Sequence, residues 1–576
     1  MVRMPAARLA CLVVAFGCAG AASAQSATTD SVIAKALNGQ RPGRINVIVK
    51  AGHELTAKEE AAIRRLGGYV YRHLTVIDSS AVSIPHRKLR KLVSLPFVKH
   101  VSSDETVRKN DLFTVGSTYA STAWTKYGAN GAGVGVAVLD SGIAASNDFN
   151  GSAGSRISAA VNFSTETGPY DMYGHGTHVA GIIAGNGANS SGPGAFQTYF
   201  GIAPQSGLVN VRVLDSVGNG SVSQVCAGIQ WVINQRTKYN IRVMNLSLGH
   251  AVGESYLTDP LCQALERAWK SGIVVVCAAG NRGRLHETPT DGDANEGYGT
   301  GYGTIDSPGN DPYVITVGAT KSIDGNRAND QIATYSSRGP TRLDFIAKPD
   351  IVAPGNRIVS VLANGGSIDQ AFGDIVDVPW TSYTTQAPAD YTPRYMQMSG
   401  TSMATPVVAG AAALMLQRDP TLSPDTVKAR LMASATKWAF PDGQGSIVTF
   451  GAGYLDIVGA LKSSVVATKS AKSPYLVWSP SGTINIVTDP DFWGTGLNGI
   501  VNGILDLLLN PTYRGDRAMW GDSAIGSPRA MWGDGVGPIA SDRALWGERA
   551  MWGDTTTTDQ PVASAGVGPT MLKGDK

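Results

Sequence analysis

Residues 111 to about 465 predict an α/β fold, a doubly wound and largely parallel sheet with helices on both faces. Apolar strand runs alternate with amphipathic helical stretches over this length, and some helices begin on recognisable caps. Composition agrees: 43% apolar and 16% charged residues supply ample core, while 576 residues are too many for one ordinary domain.

In order, VGVAVLDSGI (134–143) is an apolar strand ending on Asp140, and GHGTHVAGIIAG (174–185) opens a Gly/Ala-rich helix with His175. LVNVRVLD (208–215) precedes the helix SVSQVCAGIQWVINQ, and IRVMNLSLG (241–249) precedes PLCQALERAWKSG. GIVVVCAAGN (272–281) is a buried strand run ending on Asn281, and YVITVGAT (313–320) is a further strand. A late helix starts at Ser423-Pro424-Asp425, an N-cap, a first-turn proline and an acid that suits the helix dipole. The Gly/Asp-rich run 285–304 and the aromatic-containing run 363–397 depart from this alternation and are read as surface loops. In such folds functional groups gather at the carboxyl ends of strands, where Asp140 and Asn281 stand.

Before this region the pattern differs. Residues 1–24 carry Arg3 and Arg8, an apolar stretch from Leu9 to Ala22, and Ala22-Ser23-Ala24 before Gln25, the features of a secretory signal peptide. That apolar core is too short to span a membrane, and no later segment offers about 20 uninterrupted apolar residues, so export without a membrane span is expected. A lipid anchor on Cys18 is the weaker reading, because Ala15-Phe16-Gly17 suits it poorly. Within 25–110, INVIVK places Ile45, Val47 and Val49 on one face, and Thr56 with Glu59 forms a capping box before a helix closed by Gly67. Strands near 69–76 and 81–84, a helix carrying Leu89, Leu92 and Val93, and a short strand at 97–101 complete a βαββαβ, ferredoxin-like order.

The stretch SGTSMATPVVAGAAALMLQ (399–417) sets Ser402 where a small-residue turn becomes an apolar helix. Unpaired amides and the positive dipole end of that helix point at the same place, so an oxyanion could be held there. Pro406 is expected in or next to the first turn, where a missing N–H costs nothing. Alone, such a serine is an N-cap on a core helix. A serine nucleophile needs a histidine to take its proton and a carboxylate to orient the histidine, and His175 and Asp140 lie upstream.

The order Asp140, His175, Ser402 with these local sequences resembles the subtilisin-like serine peptidases. The resemblance covers roughly residues 40–465. It implies that Asp140 orients, His175 is the general base, Ser402 the nucleophile, and Asn281 an oxyanion donor with the Ser402 amide, while His178 is structural. Activity should then rise with pH as His175 loses its proton. It also implies that 25–110 is an inhibitory propeptide cut away near Arg108 and Lys109, and that 111–465 is the catalytic domain. Gly218-Asn219-Gly220 and Ser247-Leu248-Gly249 match the strands that flank an extended peptide substrate. In GTIDSPGNDPYVITVGA (303–319), Asp306 matches the base of the pocket for the residue before the scissile bond, where a carboxylate favours Lys or Arg.

The implied chemistry requires no cofactor. Structural calcium is common in the family, but there is no compact carboxylate cluster of the EF-hand kind, and Asp148 is the one position that suggests itself. Once the signal is removed, Cys226, Cys262 and Cys277 remain; Cys277 reads as core, and a Cys226–Cys262 bridge stays open. A net charge of +3 without a basic block interleaved with aromatics argues against nucleic acid.

The extension 466–576 carries Arg-Ala-Met-Trp-Gly-Asp at 517–522, 529–534 and 549–554, and Arg-Ala-Leu-Trp-Gly-Glu at 543–548. Irregular steps shorter than a solenoid repeat indicate a flexible tail of short motifs. Its tryptophans call for a cover: a cell-surface partner, a polysaccharide or the catalytic domain itself. The functional expectation is a secreted endopeptidase acting on proteins or peptides, made as a self-processing precursor. The competing class is a catalytically silent scaffold attached through the tail.

Overall fold

The structure, a computed structural model, describes residues 27–29, 31–38, 43–104, 114–290, 295–388, 392–438, 446–478, 484–487, 562–563 and 569–575. The signal region, the stretch around Arg108 and Lys109 and the tryptophan repeats lie outside them. The chain forms two compact units, residues 1–109 and 110–576.

In the first unit five strands lie in the order Thr28–Thr29, His100–Ser103, Arg44–Lys50, Ser79–Pro85, Tyr69–Leu74. The Thr56 box forms as read: Thr56 N donates to Glu59 Oε2 (2.8 Å) and Glu59 N to Thr56 Oγ1 (3.4 Å). Val47, Val49, Ile63, Val82, Ile84, Leu89 and Leu92 make the core. The strand Thr28–Thr29 and a helix at Ser31–Asn38 precede the pattern seen in the sequence. The last strand starts at His100 rather than 97, because Val98 N turns back to Leu95 O (3.0 Å).

The second unit is built on strands β1 (Gly135–Asp140), β2 (Ile157–Asn162), β3 (Gly207–Arg212), β4 (Ile241–Leu246), β5 (Val274–Ala278), β6 (Ile315–Lys321), β7 (Gln331–Ile332) and β8 (Ile351–Pro354). They form one sheet in the order β7-β6-β5-β4-β1-β3-β2, with β8 also paired to β6. Every pairing is parallel except β6 with β7. Helices α1 (His175–Ala184), α2 (Val222–Gln235), α3 (Pro260–Lys270), α4 (Thr401–Arg418) and α5 (Pro424–Ser434) accompany it. Caps set the starts of three of them. The side chains of Ser221, Asp259 and Ser423 accept from amides of α2, α3 and α5 respectively. Helix α4 is apolar on every side and buried from Thr401 to Leu416, so it belongs to the interior.

Two expectations are corrected, and one open question is closed. The run 363–397 is not merely a surface loop. It contains a helix at Ser367–Val376 and strand Tyr395–Met398, which pairs with Ile358–Val361, and Ile368, Tyr383 and Tyr395 are buried. The three aromatic rings Tyr199, Tyr383 and Tyr395 pack together with centroids 4.9–5.8 Å apart, which draws the segment into the core. The boundary at 465 is not an edge of packing either. Ala471 and Leu476 are buried, and Ser473 Oγ bonds to Asp350 Oδ1 and receives Lys428 Nζ (2.9 Å). Buried charges need such partners, and 466–478 supplies one. Finally, Cys226, Cys262 and Cys277 are all free thiols. Cys262 Sγ points to Asn310 Oδ1 (3.4 Å) and Cys226 Sγ to Pro260 O (3.7 Å), so no bridge joins them.

Among the described residues no helix is long and apolar enough to cross a membrane.

Candidate active site

Asp140 is the last residue of β1 and His175 the first of α1, so a strand end and a helix start meet. Their side chains are fully buried, and His175 Nδ1–H donates to Asp140 Oδ1 (2.7 Å). The approach is tight: a Cβ on Gly176 would stand 2.2 Å from Gly142 O, so only glycine fits there.

A residue that the sequence reading missed holds this corner. The N-cap of α1 is Gly174, which has no side chain to offer, and buried Asp171 does the capping. Its carboxylate accepts from Gly174 N (2.7 Å), Thr177 N (2.8 Å), Thr177 Oγ1 (2.6 Å) and Ser141 Oγ (2.8 Å). Ser141 in turn donates its amide to Asp140 Oδ1 (2.8 Å) and accepts from Gly176 N (3.0 Å). Asp171 therefore ties the orientation of Asp140 to that of His175. An acid four residues before a histidine that opens a helix with no capping side chain was the available signal.

Ser402 lies in the first turn of α4 and is buried. Its hydroxyl donates to Ser247 O (3.1 Å), and Ser247 Oγ donates to Ser402 O (2.8 Å). Pro406 explains the second bond. It is the sixth residue of α4, next to the first turn, so the carbonyl left without an intrahelical donor is that of Ser402. Ser247 fills that gap and fastens the segment 247–249 to the serine. His175 Nε2 has no hydrogen-bond partner, so Asp140 and His175 are joined while His175 and Ser402 are not. Such bonds are often open before substrate binds.

Asn281 follows β5. Its Oδ1 accepts from Thr401 N (2.9 Å) and Thr401 Oγ1 (3.0 Å), which leaves Nδ2 as a donor. That nitrogen lies 3.3 Å from where a Cβ on Gly400 would stand, beside the turn that enters α4. His178 is buried, with Nε2–H shared between Ile358 O (3.1 Å) and Met396 O (3.2 Å). Burial, aided by nearby His175, pushes its pKa down to about 3, which fits the structural role expected of it.

The expected substrate strands are also framed. A Cβ on Gly220 would meet Val213 O at 2.5 Å, and one on Gly249 would meet Ser307 O at 2.7 Å, so both edges press against backbone. Asn219–Gly220 is paired antiparallel with Val562–Ala563. Leu248 and Ser247 are buried. Asp306 lies beside the segment 247–249 and the turn after β5, 3.3 Å from a would-be Gly249 Cβ and closer still to one on Gly280. It is not a bare acid, however. Its carboxylate is ion-paired with Arg282, whose side chain is 52% exposed against 17% for Asp306. Burial raises the Asp306 pKa, and Arg282 opposes the rise.

Asp148 does not fit the cation role. Its Oδ1 accepts from Asn189 N (2.7 Å) and its Oδ2 from the Tyr395 hydroxyl (2.7 Å), so donors already occupy both oxygens. Among the described residues no other group of acidic, histidine or cysteine side chains could hold a metal ion.

The sequence pattern described as the Subtilase family matches residues 131–454. The chain belongs to that family. It is 39% identical over 324 residues to Serine protease AprX of Bacillus subtilis (strain 168), covering 54% of this chain and 63% of that protein. It is 33% identical over 385 residues to Subtilisin E of the same organism, covering 66% of this chain and 81% of that one, and 36% identical over 335 residues to Subtilisin of Bacillus pumilus, covering 58% and 92%. This subtilase is a serine-type endopeptidase with the α/β fold expected from its sequence.

Proposed function

We propose that this subtilase is exported by its 1–24 signal and made as a precursor whose 25–110 unit inhibits it until cleavage near Arg108 and Lys109. Asp140, His175, Ser402 and Asn281 carry the chemistry. The observation that supports this most directly is the buried 2.7 Å bond from His175 Nδ1 to Asp140, which fixes the tautomer and leaves Nε2 as an unpartnered acceptor.

When a peptide binds, the Ser402 hydroxyl turns from Ser247 O to His175 Nε2. His175 takes its proton as Oγ attacks the scissile carbonyl carbon, and Asp140 stabilises the imidazolium. The oxyanion is held by Asn281 Nδ2 and the Ser402 amide, which as a first-turn group lacks an intrahelical acceptor. As the C–N bond breaks, His175 passes its proton to the leaving amine. Water, activated by the same histidine, then hydrolyses the acyl-serine. Only neutral imidazole accepts from Ser402.

The peptide lies between Gly218-Asn219-Gly220 and Ser247-Leu248-Gly249 as an added strand. A Lys or Arg before the scissile bond pairs with Asp306 after displacing Arg282, which gives a basic preference weaker than an unpaired acid would confer. Attachment of the extension to a surface partner and binding of structural calcium belong to the same proposal. A serine-directed fluorophosphonate tests the reading. The processed protein should label at Ser402 and the Ser402→Ala variant should not; a processed wild type that stays unlabelled and cuts no unfolded protein points to the silent scaffold instead.

A further inference from the structure

Residues 569–575, near the far end of the extension, are seated on the catalytic unit in a built socket. Asp575 is 1% exposed, and its carboxylate accepts from Arg284 Nη2 (2.5 Å), Thr334 N (2.6 Å) and Thr334 Oγ1 (2.8 Å). Its amide donates to Asn356 Oδ1 (2.8 Å), and its carbonyl accepts from Asn356 Nδ2 (3.3 Å). Gly574 has φ +63°, and a Cβ there would stand 2.4 Å from both Asn356 Oδ1 and Ser399 Oγ. Met571 is buried in the main core, and its carbonyl accepts from Ser399 N (2.9 Å), three residues before Ser402. Arg357 Nε adds a bond to Lys573 O (3.1 Å).

Upstream on the same segment, Val562–Ala563 takes the antiparallel ladder of Asn219–Gly220. One short stretch of chain thus touches both the edge read as a substrate strand and the turn that carries the nucleophile. A strand edge pairs with one extended partner at a time. The Asp575 contact, charge-assisted and largely desolvated, is far stronger than a two-residue ladder. The socket therefore acts as the permanent anchor and the ladder as the exchangeable end, at the millimolar effective concentration that a short tether gives.

We infer that the strand Val562–Ala563 is a tethered occupant of the substrate edge, anchored downstream through Asp575, which an incoming peptide must displace from Asn219–Gly220. The ladder, the socket and the anchor stand on geometry alone; what the occupant competes with rests on the peptidase reading.

Two variants of the full chain separate anchor from ladder: Asp575→Ala, and the pair Val562→Pro with Ala563→Pro, which removes ladder donors and leaves the socket intact. In active enzyme each is expected to lower KM for a fluorogenic peptide at least about fivefold with kcat unchanged. A synthetic peptide of residues 562–575 should inhibit the proline variant competitively. In the Ser402→Ala background, amide exchange at Asn219 and Gly220 should speed up at least about tenfold in either variant. If Asp575→Ala does not fold, the proline pair alone decides. Unchanged KM together with unchanged exchange overturns the inference. Faster exchange with unchanged KM shows that the segment docks but does not compete, which overturns it equally. Absence of fluorophosphonate labelling in every variant would instead end the peptidase reading, while exchange still reports on docking.

Discussion

Asp140 and Asp306 are two buried or nearly buried carboxylates, each set against a basic side chain, and they are held in opposite ways. Asp140 and His175 are both fully enclosed, and Ser141 and Asp171 fix the acid further. Neither partner can leave without stranding a buried polar group, which costs about 1–3 kcal/mol or more. Asp306 instead pairs with Arg282, which is half in water and can swing out at little cost, since exposed ion pairs contribute about 0–1 kcal/mol. The acid proposed to orient a base is locked by its neighbours. The acid proposed to meet a variable substrate is closed by a removable cation.

The comparison breaks first at the locked corner. His175→Ala should lower turnover by about 10⁶, the size of effect that removing the equivalent histidine has in subtilisin itself, as measured by single-turnover peptide cleavage. Asp140→Asn should retain the geometry yet lose about 10⁴ in kcat, because the amide favours the wrong tautomer. Asn281→Ala should cost roughly 10² to 10³ in kcat with KM nearly unchanged.

His178 separates packing from catalysis. Its folded pKa is about 3 and its unfolded value about 6.5, so between these pH values the unfolded chain binds more protons. Stability should rise with pH over that window and be flat above it, with a loss on the order of 2 kcal/mol at pH 5. Acid unfolding of His178→Gln should lose that part of the slope.

The removable cation gives the smallest effect. Arg282→Ala should raise selectivity for Lys or Arg over apolar residues before the scissile bond about tenfold in a peptide library, and Asp306→Gly should abolish it. A preference for large apolar residues in both wild type and Arg282→Ala would remove Asp306 from the pocket.

By itself the sequence determined the alternation of strands and helices and the caps at Thr56 and Ser423, and it singled out Asp140, His175, Asn281 and Ser402 as the candidate site residues. Each of these is written within a few residues, by apolar periodicity or by a side chain that bonds the backbone two or three positions on. Only the tertiary structure decided that Asp171, which caps the His175 helix, also holds Ser141, 30 residues away, that Ser247 donates to the carbonyl freed by Pro406, and that Arg282 neutralises Asp306. It also decided that Asp575 finds Arg284, 291 residues distant, so that part of an apparently free tail belongs to the folded enzyme. Those partners leave no periodic or short-range mark in the chain. They meet because a parallel sheet gathers strand ends from distant positions onto one edge, and the polar groups buried there must find donors wherever the fold brings them.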